Sequence, residues 1–246
     1  MSAASFEHSP LDHIHRALGA KMVPFGGWEM PVSYPLGTID EHLACRNGAV
    51  IFDVSHLGTV RVEGADAIDR LQWALTNDLS KIGPGRAQYT HLLDEQDASV
   101  LDDIIVWWVD DEVFDVMPNA SNTDRVVAAI GGVETTHSRA VLAVQGPRAA
   151  GVLAAVAPEI GAIGKFRVRG ASWNGIPLTI AGTGYTGENG FEVAIAAQHA
   201  AITAPDRLPA NVGVKYRPPG QSVMAKNWWR RNSALRYRTT DVPFGA

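Results

Sequence analysis

Eleven residues, GTGYTGENGFE from Gly182 to Glu192, set four glycines among two aromatic rings, two threonines and two carboxylates. Glycine tolerates positive φ and lets another backbone or a ligand come close, so such a cluster marks a tight, shaped loop. This loop can present Tyr185 and Glu192 to a bound molecule, its glycines serving both turn geometry and close approach to the ligand. An isolated Gly-rich stretch is more often a plain hairpin turn. The second chemistry-bearing feature is Asp102–Asp103, flanked by Val100, Leu101, Ile104, Ile105 and Val106. Side-chain alternation along a strand sends one carboxylate to each face, so at least one must approach a core or a cleft. An inward Asp needs hydrogen-bond donors, a shifted pKa or a cationic or amine-bearing ligand.

Other constellations exclude more than they support. FDVSHLG (52–58) holds Asp53, Ser55 and His56 within a few residues, but hydrolase triads assemble from distant parts of a fold and no G-x-S-x-G elbow is present. Ser55 and His56 are therefore expected to make local turn hydrogen bonds. No pair of histidines has H-E-x-x-H or H-x-x-E-H spacing, so no metal site is expected. GGVE (131–134) lacks the full dinucleotide fingerprint, and no G-x-x-x-x-G-K-S/T phosphate loop occurs.

The elements that must carry these residues read as strands interspersed with single helices. Leu11, Ile14 and Leu18 predict a short helix over 10–19, and residues 20–36, rich in Pro, Gly and aromatics, predict an ordered, partly buried loop. A helix over 38–49 has Thr38 as its candidate cap. Strands are predicted at 50–54, 59–64, 87–93, 100–109, 112–117, 139–147, 165–170, 177–182 and 191–195, the third and fourth as a hairpin around DEQDAS. Helices are predicted at 65–75, 122–130 and 147–156. Without regular βαβ alternation, this pattern indicates an α+β fold with mixed or antiparallel sheets and packed helices.

With 246 residues, 46% hydrophobic, the chain can bury a sizeable core in one large or two smaller domains. Its one cysteine, Cys45, excludes an intrachain disulfide and is expected to be a small buried hydrophobe. No segment approaches the roughly 18 apolar residues needed to span a bilayer, and a cytoplasmic location is expected. Residues 1–200 carry 13 Lys+Arg against 24 Asp+Glu, whereas 201–246 carry 8 against 2. The acidic body argues against a nucleic-acid partner.

Six ordered blocks, GAKMVPFGGWEMPVSY (19–34), IFDVSHLGTVRVEG (51–64), TNDLSKIGPGRAQYTHLL (76–93), VLDDIIV (100–106), VQGP (144–147) and GTGYTGENGFE (182–192), resemble the aminomethyltransferase, or T-protein, of the glycine cleavage system. The resemblance covers about residues 10–200. It implies a T-protein-like folate-binding fold, a tetrahydrofolate co-substrate, and an aminomethyl group arriving on the lipoyl arm of a carrier, the H-protein. The products would be 5,10-methylenetetrahydrofolate, ammonia and the reduced lipoyl carrier. On the family's motifs, Asp103 matches the catalytic carboxylate near folate N5, and Glu192 matches the pterin-binding glutamate. Tyr89, Asn119 and Tyr185 match residues lining the pocket. Trp107, where a tyrosine is common, and Leu57, in place of the methionine usual after Ser-His, complete the cofactor-binding set. Related folate enzymes of the superfamily, including demethylases, share the body plan. An iron–sulfur-assembly relative carries a cysteine signature where this chain has its glycine loop, and is the weaker match.

Departures from the family concentrate late. After about residue 200 the family continues with an arginine-bearing helix that contributes to the folate site, then a C-terminal β-barrel domain, whereas this chain turns basic. The domain reading is therefore a folate-binding region over 1–200, as two intertwined α+β subdomains, and a tail over 201–246 that is frame-shifted or otherwise non-homologous and poorly ordered. A truncated folate-binding remnant with little activity is the alternative to an active transferase.

Overall fold

The computed structural model describes residues 5–203. The basic segment set apart at 201–246 lies, from residue 204 on, outside the described residues. In chain order the elements are β1 (Glu7–His8), α1 (Asp12–Ala17), β2 (Lys21–Phe25), β3 (Trp28–Ser33), α2 (Thr38–Asn47), β4 (Val50–Asp53), β5 (Val60–Glu63) and α3 (Ala67–Ala74). There follow β6 (Arg86–Leu93), β7 (Val100–Asp110), β8 (Val113–Met117), α4 (Thr123–Ile130), β9 (Val133–Glu134) and β10 (Arg139–Gln145). The last are α5 (Ala149–Val156), β11 (Val168–Trp173), β12 (Ile176–Ala181) and β13 (Gly190–Ala196).

Three sheets result, ordered β1-β3-β2, β11-β12-β13-β10-β4 and β6-β7-β8-β5-β9. Every pairing is antiparallel except β1 with β3. The chain leaves the second sheet after β4, builds the third from β5 to β9, and returns through β10, which pairs with β4. The fold is α+β, as the alternation of strand runs and single helices predicts.

Alternation along the strands sorts the core into layers. Leu142, Val144, Ile180, Val193 and Ile195 pack with Ala149 and Leu153 of α5 on one face of the second sheet. Ile104, Val106 and Trp108 of β7 pack with Leu71 of α3 and Val126 and Ile130 of α4 on one face of the third. Between the sheets, Ile105, Trp107, Ala87 and Met117 meet Val141, Val168 and Ala181. β7 is thus covered on both sides, which explains its unbroken IIVWWV run. Burying each such side chain contributes about 1.5–3 kcal/mol.

Three sequence expectations change. The loop predicted over 20–36 is the β2–β3 hairpin: Gly26 and Gly27 (φ +56° and +89°) make its tight turn, with Phe25 opposite Trp28. Two positive φ angles in succession are what such turns demand. Pro24 lies on the edge strand β2, and Pro31 of β3 faces the register shift between Lys21 and Met22. The cap of α2 is Gly37, with Thr38 already inside the helix. The strand predicted at 165–170 starts only at Val168, because Phe166 takes φ +53° and Arg167 N–H bonds Gly164 O in a turn.

Candidate functional site

A cavity of about 640 Å³ opens where the hairpin tip, the β4–β5 turn, β7 and the segment after β8 meet. Its lining includes Phe25, Gly26, His56, Leu57, Asp103, Asn119 and Tyr185. The volume lies within the few-hundred to thousand Å³ usual for small-molecule sites.

Asp102 and Asp103 take opposite faces of β7, as alternation requires. Asp102 is 3% exposed and accepts from the backbone N–H of Asn119 at 3.0 Å, the Asn119 side-chain amide at 2.8 Å and Asn122 Nδ2 at 2.9 Å. Asp103 reaches the cavity wall. Its Oδ2 accepts from the Tyr89 hydroxyl at 2.8 Å, and its Oδ1 from Asn119 Nδ2, also at 2.8 Å. Tyr89 sits on β6 two residues from His91, which is directly opposite Asp103, so the bond is a diagonal cross-strand contact. Donation to the Asp103 carboxylate holds the Tyr89 phenol above its ordinary pKa.

Glu192, on β13 and 1% exposed, is not among the residues that line the cavity. The Thr183 hydroxyl bonds its Oε2, while Oε1 is enclosed without a partner. Burial raises its pKa, opposed by the Thr183 hydrogen bond and by the charge of Arg139. Arg139 on β10 is itself enclosed, with Nε and one Nη unpartnered, and burial lowers its pKa to about 10 against the pull of Asp115 and Glu192. Tyr185 keeps 47% of its surface open, at the cavity wall. Its phenol is pushed up first by desolvation, then by Glu192, Asp103 and Asp102, which places it within electrostatic reach of both carboxylate sites. Trp107 is fully buried between the sheets, outside the cavity lining, and its Nε1 has no partner.

The glycine loop has a different architecture from the one its sequence suggests. A Cβ on Gly184 would lie 2.1 Å from Gln145 Oε1, and one on Gly190 2.5 Å from Gln145 Nε2. Within the chain, the close approach at these two glycines is to buried Gln145. Gln145 Nε2 donates to Thr183 O at 3.1 Å and its Oε1 accepts from Thr186 Oγ1 at 2.9 Å. Arg46 of α2 then clips the loop, bonding Thr186 O at 2.7 Å and Glu188 at 2.9 Å. Cys45 beside it is buried, 3% exposed.

Ser55 makes the expected turn bonds, its N–H and hydroxyl reaching Asp53 Oδ1 at 3.0 and 2.5 Å. Asp53 also accepts from Ser9 and binds His15 Nε2 at 2.8 Å, tying α1 to β4. His56 sits in the same turn, but its ring Nδ1 makes no hydrogen bond there. It faces the cavity instead, with Nδ1 enclosed and unpartnered and the ring edge-on to Phe25 at 5.3 Å between centroids. Phe25, Gly26, Asn122 and Gln145 are not singled out by the sequence, and His56 is expected there only in turn hydrogen bonds. The Phe-Gly-Gly-Trp hairpin signature and the Asn pair at 119 and 122 are the signals that point to them. Among the described residues, His8, Asp12 and Glu29 are grouped closely enough to hold a cation, and the Arg16 guanidinium already bridges both carboxylates.

The GCVT N-terminal domain model matches residues 11–224. An aminomethyltransferase from Mycolicibacterium paratuberculosis is 44% identical over 232 residues, covering 86% of this chain and 62% of that protein. One from Parafrankia is 47% identical over 195 residues, covering 75% and 53%. The crystal structure of glycine cleavage system aminomethyltransferase T from Bartonella henselae superposes with a TM-score of 0.72 at 31% identity, covering 95% of this chain and 64% of that one. The chain spans about three fifths of the length of the relatives it matches. With a family model over most of its length and this fold in common, the chain belongs to the aminomethyltransferase (T-protein) family and carries that family's N-terminal domain.

Proposed function

We propose that the cavity binds tetrahydrofolate and that the chain transfers to it the methylene of an aminomethyl group carried on a lipoylated H-protein. Ammonia, 5,10-methylenetetrahydrofolate and the reduced carrier are the products. The observation that carries this reading is Asp103, held in the cavity wall by Tyr89 and Asn119. An anion fixed beside a nitrogen that gains positive character during attack orients that amine and stabilises the charge, without reorganisation at the moment of reaction. Asp103 is the proposed catalytic group.

Glu192 fits the pterin. Its enclosed Oε1, which has no hydrogen-bond partner among the described residues, can accept from the adjacent N–H donors of a flat heterocycle. Tyr185, Leu57 and Asn119 supply the cavity wall, and Tyr89 acts through Asp103. Trp107 backs the site from the layer between the sheets, where it serves packing.

Folate binding without turnover is the second reading, because the match corresponds to 62% of a relative's length and transfer is the finer claim. Calorimetric titration with tetrahydrofolate tests binding, and ammonia release from aminomethylated lipoyl carrier tests transfer. Binding with turnover supports the transferase, and binding without it supports the second reading. No binding removes both.

A further inference from the structure

His56 is a titratable residue of the cavity for which the reading above has no use. It stands in the turn between β4 and β5 and lines the same cavity as Asp103, Asn119 and Tyr185. Its Nδ1 is closed off without a partner, so proton exchange with the cavity must run through Nε2. The hairpin tip fixes the ring: Phe25 packs edge-on at 84° between planes, and Gly26 beside it lines the cavity too. The charged groups around it are Asp53, behind it on β4 and engaged by Ser9, His15 and Ser55, and the cavity's own Asp103 and Tyr185. Burial lowers the imidazole pKa and Asp53 only partly opposes this, so the ring is neutral near pH 7 and able to accept a proton.

Resting on the proposed transfer, the proton balance calls for more than one acceptor. Carbon–nitrogen bonds form at N5 and N10 of the folate, while the carbon–sulfur bond and the bond to the departing ammonia break. N5 and N10 each lose a proton. One ends on the lipoyl sulfur and one on ammonia, with no change in oxidation state. Asp103, anchored by Tyr89 and Asn119, serves one folate amine. We propose that His56 is a second proton-transfer group of the site, accepting through Nε2 the proton of the other amine as the methylene bridge closes and returning it to the leaving group. A general base within reach of such a proton contributes about 10²–10⁴ in rate.

The test uses the full chain and its His56→Ala and His56→Gln variants, with folding checked by circular dichroism. His56→Ala should keep tetrahydrofolate affinity while losing about a hundredfold in ammonia release, the scale of one general base. Added imidazole should restore part of that rate to His56→Ala and none to His56→Gln, whose side chain fills the site. A structural role would not respond to imidazole. Wild-type turnover with variants equally fast, or slow and not rescued, overturns the proposal while leaving the transferase reading intact. If the wild type binds tetrahydrofolate without turnover, the His56 nitrogens are followed by NMR: tetrahydrofolate must perturb Nε2, and an unmoved resonance refutes the assignment. Absence of tetrahydrofolate binding defeats the underlying reading itself.

Discussion

Asp102 and Asp103 on β7 collect their hydrogen bonds from Tyr89, Asn119 and Asn122, whereas Glu192 on β13 and Arg139 on β10 keep polar atoms enclosed with no partner among the described residues. The first site is complete within the chain. Its carboxylates are held in one geometry before any ligand arrives, which suits a group that must act on charge developing in a reaction. The second site is left open. Burying a polar group without a partner costs about 1–3 kcal/mol, so a fold that tolerates it is more stable when something supplies the missing partner. The contrast separates a preassembled reactive group from a recognition group, and it can be broken from either side.

The largest effect should come from the complete site. Asp103→Asn keeps the size of the side chain and removes its charge, and should cost turnover by at least about a hundredfold in the ammonia-release assay, with the urea midpoint little changed. Full turnover would mean that Asp103 is not the reacting carboxylate. Asn119→Leu tests whether satisfaction by the chain matters for the fold: it strips side-chain donors from buried Asp102 and should lower stability by about 2–4 kcal/mol. An unchanged denaturation curve would show that Asp102 finds other donors.

Gly184→Ala comes next, because its Cβ would fall 2.1 Å from Gln145 Oε1. It should destabilise by about 1–3 kcal/mol through overpacking. At Gly187 (φ +75°) an added Cβ meets nothing closer than 4.0 Å, so Gly187→Ala should show the smaller backbone cost of roughly 1 kcal/mol. Equal effects at the two positions would contradict the packing account of the loop.

The smallest effect on stability, and the most specific, belongs to the open site. The Glu192 pKa is raised above the ordinary 4.5, so the folded state holds this proton more tightly than the unfolded state. Stability must then fall as pH rises from the ordinary carboxylate value through the raised one. Glu192→Gln should remove that slope, leave the neutral-pH fold as stable or about 1 kcal/mol more so, and weaken tetrahydrofolate binding about tenfold. A variant that binds tetrahydrofolate as tightly as the wild type would detach Glu192 from the ligand.

Local pairings were legible in the sequence. Tyr89 and Asp103 lie on adjacent arms of one hairpin, and the opposite facing of Asp102 and Asp103 follows from alternation alone. The Pro, Gly and aromatic content that reads as a loop over 20–36 fits a hairpin, because Gly26–Gly27 makes its turn while an edge position and a register shift accommodate Pro24 and Pro31. His56 was set aside with Ser55 because the two are neighbours, but successive residues leaving a strand point in different directions. Gln145 was passed over as part of VQGP, although it is the side chain around which the glycine loop is built.

By itself, then, the sequence determined the strands, the hairpin that joins Tyr89 to Asp103, and the existence of a shaped loop at 182–192, because these depend on periodicity and on the φ freedom of glycine. Only the tertiary structure decided which polar groups are satisfied. The chain leaves the second sheet at β4 and rejoins it at β10, and the facing of the two sheets brings Tyr185 within reach of carboxylates from both. Whether a polar group has a partner depends on neighbours distant in sequence, such as Asn119 for Asp102, 17 residues away, and Gln145 for Thr186, 41 residues away. No local pattern encodes that accounting.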